Sequence, residues 1–376
     1  MEKINIIADD KIPYLKGVLE PYATINYLPG NKISNADLKN VDALLIRTRT
    51  KCDATLLKGT KVKFIATATI GFDHIDTSFC EANNIYWTNA PGCNSSSVKQ
   101  YIASVITTLL IRHNLTFNNL TLGVIGVGNV GKKIVHLAEQ LGIKVLQNDP
   151  PRELIENENF VTLNEIIEQC NIITCHVPLI MEGQFKTYHL FDEHKLNQLK
   201  PDTILINSSR GEVVNNNALK QLLKDKKIKG AVLDVWENEP EIDLELLSLL
   251  DIATPHIAGY SYDGKANGTA MSVDALCNYF KIPLKSWYPK ELEMPNNSLL
   301  NVSEVETNKE LFYYEIFNSI YTLAFDDDRL RKKPEEFEKQ RGDYPLRRES
   351  VAYTIKNKNY TKTTIKSLLN LGFKLA

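Results

Sequence analysis

Residues 121–149 have the sequence TLGVIGVGNVGKKIVHLAEQLGIKVLQND, an apolar run followed by closely spaced glycines and a helix-like segment. Gly126, Gly128 and Gly131 have the spacing GxGxxG, and they fall where a predicted strand gives way to a predicted helix. That context is typical of a dinucleotide-binding turn, in which the backbone approaches a pyrophosphate and the helix N-terminus faces it. The residues expected to bind the dinucleotide here are Gly126, Gly128, Asn129, Val130 and Gly131. A purely structural glycine turn is the alternative.

The choice between the two nicotinamide dinucleotides depends on Asp149, which ends the second predicted strand. A carboxylate at this place accepts hydrogen bonds from the adenosine ribose. It would also repel a 2′-phosphate, so we predict NAD rather than NADP as the cofactor. Arg152 is the opposing sign, because a nearby arginine accommodates that phosphate in NADP-binding proteins.

Strand-like and helix-like segments alternate over most of the chain, which predicts an α/β protein with parallel sheets. Strands are predicted at residues 4–8, 24–28, 43–46, 62–67, 121–125, 144–149, 171–175, 203–207 and 230–234. The clearest helical periodicity lies at 97–111, between two blocks of alternation, and a further helix is predicted at 262–280. A proline-punctuated stretch, 280–297, then predicts a linker, and the remaining residues differ in character from the two blocks.

Composition excludes several classes of function. The 376 residues carry 44 Lys and Arg against 46 Asp and Glu, so no basic field for nucleic acid is expected. The longest apolar stretch, 102–111, is too short to span a bilayer, which takes about 20 residues, so we predict no membrane partner. The six cysteines have no metal-ligand spacing, which predicts no metal site, and scattered cysteines of this kind favour reduced thiols in a cytoplasmic protein.

Three polar residues follow predicted strands and together suit one reaction: Arg210, Glu239 and His256. Ligands of open α/β sheets bind outside the carboxyl ends of the strands, so these residues are candidates for one site. A histidine accepts the proton of an alcohol near neutral pH, a carboxylate beside it favours the imidazolium, and an arginine offers a planar fork to a substrate carboxylate. Taken singly, each has a structural or solvated explanation.

The order of these motifs resembles that of the D-isomer-specific 2-hydroxyacid dehydrogenases. The resemblance rests on GVIGVGNVG, INSSRG, LDVWENEP and TPHIAGY. Further segments, among them IRTRT, ATATIGFDHID, NAPGCNSSSV and HIAGYSYDGKANGT, resemble one branch of that family. Members of that branch oxidise a small phosphorylated 2-hydroxy acid on the way to pyridoxal 5′-phosphate, and carry a C-terminal dimerisation extension. Dehydrogenases for 3-phosphoglycerate or glycerate, and a non-enzymatic NAD-sensing corepressor of the same fold, are the alternatives.

The resemblance implies two doubly wound parallel-sheet domains and a C-terminal α+β dimerisation domain, so a homodimer is expected. The flavodoxin-like substrate-binding domain would comprise 1–96 and 258–283, the Rossmann NAD-binding domain 97–257, and the dimerisation domain 284–376.

The resemblance also implies roles for single residues. His256 would be the general acid/base, Glu239 its partner and Arg210 the group that holds the substrate carboxylate. Further NAD contacts would come from Val177, Asn207, Ser208, Ser209, Asp234 and Gly259. Substrate contacts would come from Thr48, Thr67 and Tyr260. Asp234 has a simpler alternative as a strand-end cap, and both threonines as ordinary strand residues.

Two further expectations concern the substrate phosphate and the C-terminal tail, residues 284–376. Arg47 and Arg49 would share a face if their strand continued, and Arg347 and Arg348 lie in a tail segment that could reach a neighbouring cleft. We expect one of these four arginines to bind the phosphate, with solvated charges as the alternative. The run ELFYYEIFNSIYTLAF, 310–325, predicts an exposed apolar surface that a two-fold partner would cover.

Overall fold

The computed structural model describes residues 3–156, 159–303, 305–356 and 359–376. The strands, in chain order, are β1 Ile4–Asp9, β2 Ala23–Leu28, β3 Ala43–Ile46, β4 Phe64–Thr67, β5 Tyr86–Thr88, β6 Thr121–Ile125, β7 Lys144–Asn148, β8 Ile172–Cys175, β9 Ile204–Asn207, β10 Gly230–Leu233, β11 Ile252–Ala253, β12 Leu299–Leu300, β13 Thr354–Ile355 and β14 Lys374–Leu375. The α-helices are α1 Ala54–Leu57, α2 Thr77–Ala82, α3 Ser95–His113, α4 Gly131–Leu141, α5 Pro150–Glu153, α6 Leu163–Gln169, α7 Glu193–Leu196, α8 Asn216–Lys224, α9 Leu244–Leu249, α10 Tyr262–Phe280, α11 Lys309–Ile320, α12 Leu323–Lys332, α13 Phe337–Gly342 and α14 Lys362–Asn370. These elements form two compact units, each made of two stretches of chain.

The first unit comprises Met1–Asn94 and Ser261–Glu293. Its parallel five-stranded sheet has the order β2-β1-β3-β4-β5, which is the flavodoxin-like order. The central strands β3 and β4 are buried along their whole length, as expected of parallel strands covered on both faces. Helix α10 covers one face, where Val273 and Leu276 join a buried cluster with residues of β1, β3 and β4. The predicted parallel α/β architecture is confirmed for this unit.

The second unit comprises Ser95–Tyr260 and Met294–Ala376. Its parallel six-stranded sheet has the order β11-β10-β9-β8-β6-β7. The chain leaves β6 toward β7 on one side and later returns to β8 on the other, so the connections change direction between β6 and β8. Such a switch point opens a crevice at the carboxyl ends of the two strands, where dinucleotides bind in doubly wound sheets. The predicted Rossmann-type fold is confirmed.

Helix α3 is the most completely buried long helix of the second unit. It extends over Ser95–His113, somewhat beyond the predicted 97–111, and thirteen of its nineteen residues are buried. A helix that is apolar nearly all round packs on more than one neighbour. Helix α4 lies on one side of α3 and helix α11 on another. Helix α3 therefore joins the dinucleotide-binding part to the tail.

The tail packs on its own chain, which corrects one step in the argument for a dimer. Phe312, Ile316, Phe317 and Ile320 of α11 are buried in one cluster with residues of α3. Most of the apolar run that predicted a surface for a partner is thus covered from within, whereas Phe325 at its end is 55% exposed. Residues 323–332, of which only 323–325 belonged to the helix-like run, form α12. The short parallel strands β12, β13 and β14 form a third sheet.

Two general features of the chain bear on its surroundings. Within the residues that the structure describes, no helix is long and apolar enough to cross a membrane. The six cysteines are all buried, and none of them forms a disulfide. Burial raises the pKa of each of five of them, for example that of Cys170 to about 12, so the reactive thiolate form is disfavoured.

Candidate active site

The glycine turn follows β6 and has the geometry of a pyrophosphate cradle. Gly126 has φ of +81°, and a Cβ atom there would lie 2.6 Å from the carbonyl oxygen of His176. A Cβ on Gly131, the first residue of α4, would overlap the carbonyl oxygen of Gly126. A Cβ on Gly128 would meet no atom within 4 Å, so the backbone there is open on the side that a ligand would approach. Asn129 is exposed in the same turn, and Val130 packs on the core below it.

Asp149 is tied to this turn. Its Oδ2 accepts a hydrogen bond from the amide of Val127 at 2.7 Å, and its Oδ1 accepts one from the amide of Arg152 at 3.2 Å. The carboxylate thereby caps α5 and keeps further lone pairs for a ligand. Arg152, the residue that opposed the choice of NAD, is engaged elsewhere, since its guanidinium pairs with Glu156 and donates to the carbonyl of Val127 at 2.6 Å.

A cavity of about 470 Å³ lies beside the turn, in the second unit. Its lining includes Gly126, Gly128, Asp149 and Val177, that is, residues from the carboxyl ends of β6, β7 and β8. A cavity of this size is typical of cofactor sites. The open backbone at Gly128, the carboxylate at Asp149 and the apolar wall fit a pyrophosphate, a ribose and a flat ring, so the residues present fit a dinucleotide.

The turn after β9 presents Arg210 through a network of its own. The side chain of Asn207, fully buried, donates to the carbonyl of Arg210 at 2.8 Å and accepts from the amide and hydroxyl of Ser209 at 3.1 and 2.8 Å. Arg210 Nη1 donates to the carbonyl of Ser209 at 2.8 Å, which orients the guanidinium. The hydroxyl of Ser208 lies 3.5 Å from Nδ1 of His176. These contacts set the shape of the turn.

His176 is a residue that our sequence analysis passed over. It follows β8 directly, and its Nε2 lies 2.9 Å from the hydroxyl of Thr174. Desolvation lowers the pKa of His176 to about 3, so the ring stays neutral over the physiological range. The available signal was its place in HVPL, directly after a buried strand whose neighbour carries the glycine turn.

Glu239 and His256 come together although seventeen residues separate them. Nδ1 of His256 lies 2.8 Å from Oε2 of Glu239, and Oε1 of Glu239 accepts from the amide of Trp236 at 2.8 Å. Burial acts to raise the pKa of Glu239, but its hydrogen bond to His256 and the charge of that ring outweigh burial and hold the pKa below its ordinary value. An ionised Glu239 accepts from Nδ1–H, which leaves the basic lone pair of the neutral ring on Nε2.

Asp234 shapes the loop that carries His256. Its Oδ1 accepts from the hydroxyl of Thr254 at 2.6 Å and from the amide of Ile257 at 2.8 Å, and its Oδ2 accepts from the amide of Ala258 at 3.0 Å. The backbone carbonyl of Asp234 also accepts from the amide of His256 at 2.7 Å. His256 has φ of +55°, a conformation that a non-glycine residue keeps only where its surroundings hold it. Gly259 and Tyr260 end this loop.

The two threonines predicted to contact substrate, Thr48 and Thr67, lie in the first unit and differ in exposure. Thr48 is exposed in the turn after β3, whereas Thr67 is buried at the end of β4 with its hydroxyl 2.7 Å from that of Thr69. Strand β3 ends at Ile46, so the expectation that Arg47 and Arg49 share one face of a continuing strand is wrong. The chain turns there instead, with the amide of Thr50 donating to the carbonyl of Arg47.

The two tail arginines are buried in their own chain, which corrects the expectation that one of them reaches a neighbouring cleft. Arg347 and Arg348 are 4% and 6% exposed. Arg347 donates to the carbonyls of Ser97, Ile257 and Ala258, so its guanidinium is used within the second unit. Neither residue is a solvated charge.

Comparisons with known proteins indicate one family. A model of the D-isomer-specific 2-hydroxyacid dehydrogenase NAD-binding domain matches residues 108–258, and a domain model of unknown function matches 294–372. A protein of Bacteroides fragilis named erythronate-4-phosphate dehydrogenase is 49% identical, over 94% of this chain and 99% of its own. Proteins of the same name from Porphyromonas gingivalis and Proteus mirabilis are 39% and 38% identical, over 94% and 98% of this chain and 95% and 99% of theirs.

Solved structures match about three quarters of the chain. D-lactate dehydrogenase from Aquifex aeolicus, complexed with NAD and lactic acid, has a TM-score of 0.63 and 25% identity, and the match covers 74% of this chain and 95% of that one. An NADPH-dependent glyoxylate/hydroxypyruvate reductase from Sinorhizobium meliloti has a TM-score of 0.63 at 23% identity, with 77% and 97% covered, and shows the fold alone.

Proposed function

Because the chain belongs to the erythronate-4-phosphate dehydrogenases and carries the NAD-binding domain of D-isomer-specific 2-hydroxyacid dehydrogenases, we propose that it oxidises 4-phospho-D-erythronate with NAD. The product is (R)-3-hydroxy-2-oxo-4-phosphooxybutanoate, on the way to pyridoxal 5′-phosphate. The observation that carries the proposal is the 2.8 Å contact between His256 and Glu239, in the same unit as a cradle for a dinucleotide. An alcohol needs a base and a hydride acceptor to become a ketone, and this unit supplies the first and binds the second.

We assign the catalytic roles on the basis of the hydrogen bonds. With Glu239 on Nδ1, the Nε2 of His256 takes the proton of the C2 hydroxyl, and the imidazolium that forms is stabilised by the adjacent carboxylate. Arg210 binds the C1 carboxylate and the C2 oxygen through its planar fork, which aligns the C2–H bond. Bound NAD⁺ supplies the acceptor for the hydride of C2. In the reverse direction the imidazolium returns its proton to the C2 oxygen.

We assign cofactor binding to the residues around the cavity and the neighbouring turns. The glycine turn, residues 126–131, takes the pyrophosphate and Asp149 takes the adenosine ribose. Val177, Asn207, Ser208, Ser209, Asp234 and Gly259 complete the cofactor site. NAD rather than NADP fits because Arg152, whose amide donates to Asp149, already pairs its guanidinium with Glu156.

We assign substrate contacts to Thr48, Thr67 and Tyr260. For the 4-phosphate, Arg47 and Arg49 remain as candidates now that the two tail arginines have other partners. Support comes from Lys265, whose pKa is lowered by desolvation and by the nearby charge of Arg47, since clustered cations favour an anion. Arg47 and Arg49 should each be replaced by Ala. The substitution that removes the phosphate-binding group should raise KM for the phosphorylated substrate without weakening the binding of NAD.

A homodimer in the cytoplasm is the further part of the proposal, with the substrate-binding, NAD-binding and dimerisation domains at 1–96 with 258–283, 97–257 and 284–376. Exposed apolar side chains on the tail support it: Leu299, Val305, Phe325, Val351 and Leu369 are each at least half exposed. Free buried thiols suit a reducing compartment. Sedimentation equilibrium at micromolar concentration should give twice the chain mass of 42.6 kDa, and a value equal to the chain mass would refute the dimer.

The activity is tested by following the absorbance of reduced nicotinamide, at roughly 340 nm, in the presence of each of a panel of acids. 4-Phospho-D-erythronate should give the highest kcat/KM, with 3-phosphoglycerate and glycerate at least tenfold lower. The variant His256→Asn is the control for contaminating dehydrogenases. A protein that binds NAD but oxidises none of the acids would support the corepressor alternative instead.

A further inference from the structure

The peptide groups that follow His256 are held on one side by Asp234. Its carboxylate accepts from the amides of Ile257 at 2.8 Å and Ala258 at 3.0 Å. These bonds fix the N–H groups of two successive residues and leave their carbonyl groups pointing elsewhere. The loop follows the two-residue strand β11, and the amide of His256 still donates to the backbone carbonyl of Asp234. Beyond His256 the amides donate to the side chain of Asp234 instead, so the shape of the loop there depends on such side-chain contacts.

The carbonyl groups of the same two residues are held by Arg347 of the tail. Its Nη1 donates to the carbonyl of Ile257 at 3.3 Å, and its Nη2 donates to the carbonyl of Ala258 at 3.2 Å. A carboxylate on the N–H side and a guanidinium on the C=O side therefore clamp both peptide groups. Hydrogen bonds to charged groups are about twice as strong as those between neutral groups, so this clamp outweighs ordinary loop contacts.

Arg347 is itself fixed by helix α3 and by the tail. Its Nη2 donates to the carbonyl of Ser97 at 2.6 Å, and its Nε donates to the side chain of Gln100 at 3.2 Å. The guanidinium carbon lies 4.1 Å from the centre of the Tyr321 ring. Asp326, buried behind it, accepts from the hydroxyls of Tyr321 at 2.9 Å and Tyr344 at 2.7 Å and supplies the opposite charge.

A second contact between the tail and the same loop lies close by. The ring of Tyr344 meets that of Tyr260 edge-on, with centroids 5.5 Å apart. Arg341 of α13 pairs with Glu338, and its charge contributes to the lowered pKa of Glu239. The tail thus contacts the loop that carries His256 and also contributes a charge that acts on Glu239, all within the same unit.

We propose that Arg347 is a positioning residue for catalysis: by clamping the carbonyls of Ile257 and Ala258, the C-terminal tail of the same chain holds His256 in its reactive place. The inference rests on the proposed function, in which His256 is the general base. A base must stay within hydrogen-bonding reach of the proton it takes, and a displacement of about 1 Å costs on the order of 10²-fold in rate. The tail is then part of the catalytic apparatus as well as a packing element.

The test compares Arg347→Lys with Arg331→Lys in the full-length protein. Arg331 is a matched control, because it also lies in the tail and donates to two backbone carbonyls. These carbonyls belong to Leu247 and Leu250, outside the loop that carries His256. A lysine keeps the charge but cannot span two carbonyls with a planar fork. We expect kcat of Arg347→Lys to fall at least tenfold, with the Kd of NAD changed less than threefold, and kcat of Arg331→Lys to stay within twofold of the wild type.

A second measurement is independent of activity. Amide hydrogen exchange of residues 255–260 in the substrate-free protein should accelerate at least tenfold in Arg347→Lys and remain unchanged in Arg331→Lys. An unchanged kcat together with unchanged exchange would overturn the inference. So would equal losses in both variants, because they would indicate a general effect of weakened tail packing.

The two levels of the proposal fail differently. If the wild type does not oxidise 4-phospho-D-erythronate, the proposed function fails, whereas the exchange result still decides whether Arg347 holds the loop. If Arg347→Lys does not fold, Gln100→Met takes its place, since it keeps the arginine but removes its side-chain acceptor at 3.2 Å. A threefold or greater loss of kcat in Gln100→Met at unchanged NAD affinity would support the clamp, and an unaltered kcat would overturn it.

Discussion

Asp149 has an observed structural role and a proposed role in the choice of cofactor, and a single substitution separates the two. Asparagine at this position still accepts a hydrogen bond from the amide of Val127, as Oδ2 does at 2.7 Å, but it removes the charge that repels a 2′-phosphate. We expect Asp149→Asn to lower the preference for NAD over NADP by roughly tenfold or more, an energy of about 1.4 kcal/mol.

The ratio of kcat/KM for the two cofactors measures this effect directly. Glu156→Gln weakens the ion pair with Arg152. It should move the ratio in the same direction as Asp149→Asn, and the two effects should add. Equal use of both cofactors by the wild type would contradict the assignment of Asp149.

The charge of Glu239 should be visible in the pH dependence of turnover. Glu239→Gln preserves an acceptor for Nδ1–H of His256 but removes the charge that stabilises the imidazolium. The pKa of the acidic limb of the kcat/KM profile should therefore fall, and activity at neutral pH should drop roughly tenfold. His256→Asn, which removes the proton acceptor, should lose about 10²–10⁴ in kcat.

A second histidine–glutamate pair provides the control. Glu237 lies 2.6 Å from Nε2 of His189, close in sequence to Glu239 but outside the proposed proton transfer. Glu237→Gln should leave the pH profile where it is. If both variants shift the limb equally, the effect is one of net charge and the assigned partnership is wrong.

His176 should make the folded protein sensitive to acid. Its pKa is about 3 in the folded chain and near 6.5 when exposed, so between these values only the unfolded chain binds a proton at this ring. Lowering the pH from 6.5 to 4.5 should therefore cost about 2 kcal/mol of unfolding free energy through this residue, up to about 1.4 kcal/mol per pH unit.

Urea denaturation at the two pH values tests this expectation. His176→Gln should lose less stability on acidification than the wild type by about that amount. His136→Gln, on the exposed side of α4, should behave as the wild type does. The same loss in the His176 and His136 variants would show that other groups cause the acid sensitivity.

At the scale of elements, α12 combines charged residues that we expect to contribute very differently to the free energy of unfolding. Asp326 is 3% exposed and accepts from two tyrosine hydroxyls, whereas Asp328, two residues on, is exposed and pairs with Lys332. Asp326→Ala should lower the unfolding free energy by about 2–4 kcal/mol, because it leaves buried donors without an acceptor. Asp328→Ala should cost about 0.5 kcal/mol or less.

Chemical denaturation of the two variants side by side decides the matter. A similar cost for both would mean that the tyrosine hydroxyls find water or other acceptors. An unchanged stability of Asp326→Ala would also remove one support of Arg347, whose charge Asp326 balances.

The sequence allowed the large parallel sheets to be predicted closely, and the reason is local. Strands such as β3 and β6 are buried apolar runs, so their composition alone marks them, and their predicted bounds agree with the structure. The two-residue strands β11 to β14 are too short to show any period. Helix α12 was missed as a helix because its buried residues, among them Asp326 and Leu330, are diluted by charges that face solvent.

The candidate site shows the same division between local and distant information. The GxGxxG turn and the residues after strands can be recognised in the sequence because each lies within a short motif. The partners of Arg347, by contrast, lie about 90 and 250 residues away, and no short motif encodes such contacts. In the sequence, the adjacent Arg347 and Arg348 suggested a phosphate site, and only the fold shows that both are buried.

At the scale of the whole molecule, the tail should be indispensable for solubility. Truncation after residue 293 would expose the faces of α3 that Phe312, Phe317 and Ile320 now cover. We expect the truncated chain to accumulate as insoluble protein, since an uncovered apolar patch of this kind promotes aggregation. Recovery of a soluble, NAD-binding fragment 1–293 would contradict this expectation, and fluorescence titration with NAD is the measurement.

The discontinuity of the first unit has a consequence for biosynthesis. Helix α10 covers strands β1, β3 and β4, yet about 190 residues are translated between the end of β4 and the start of α10. At about 5–20 residues per second, the sheet emerges from the ribosome roughly 10–40 s before its covering helix exists. During that interval Ala66 and its neighbours on the uncovered face are open to other chains, so this nascent sheet is the stage at which a chaperone would be needed most.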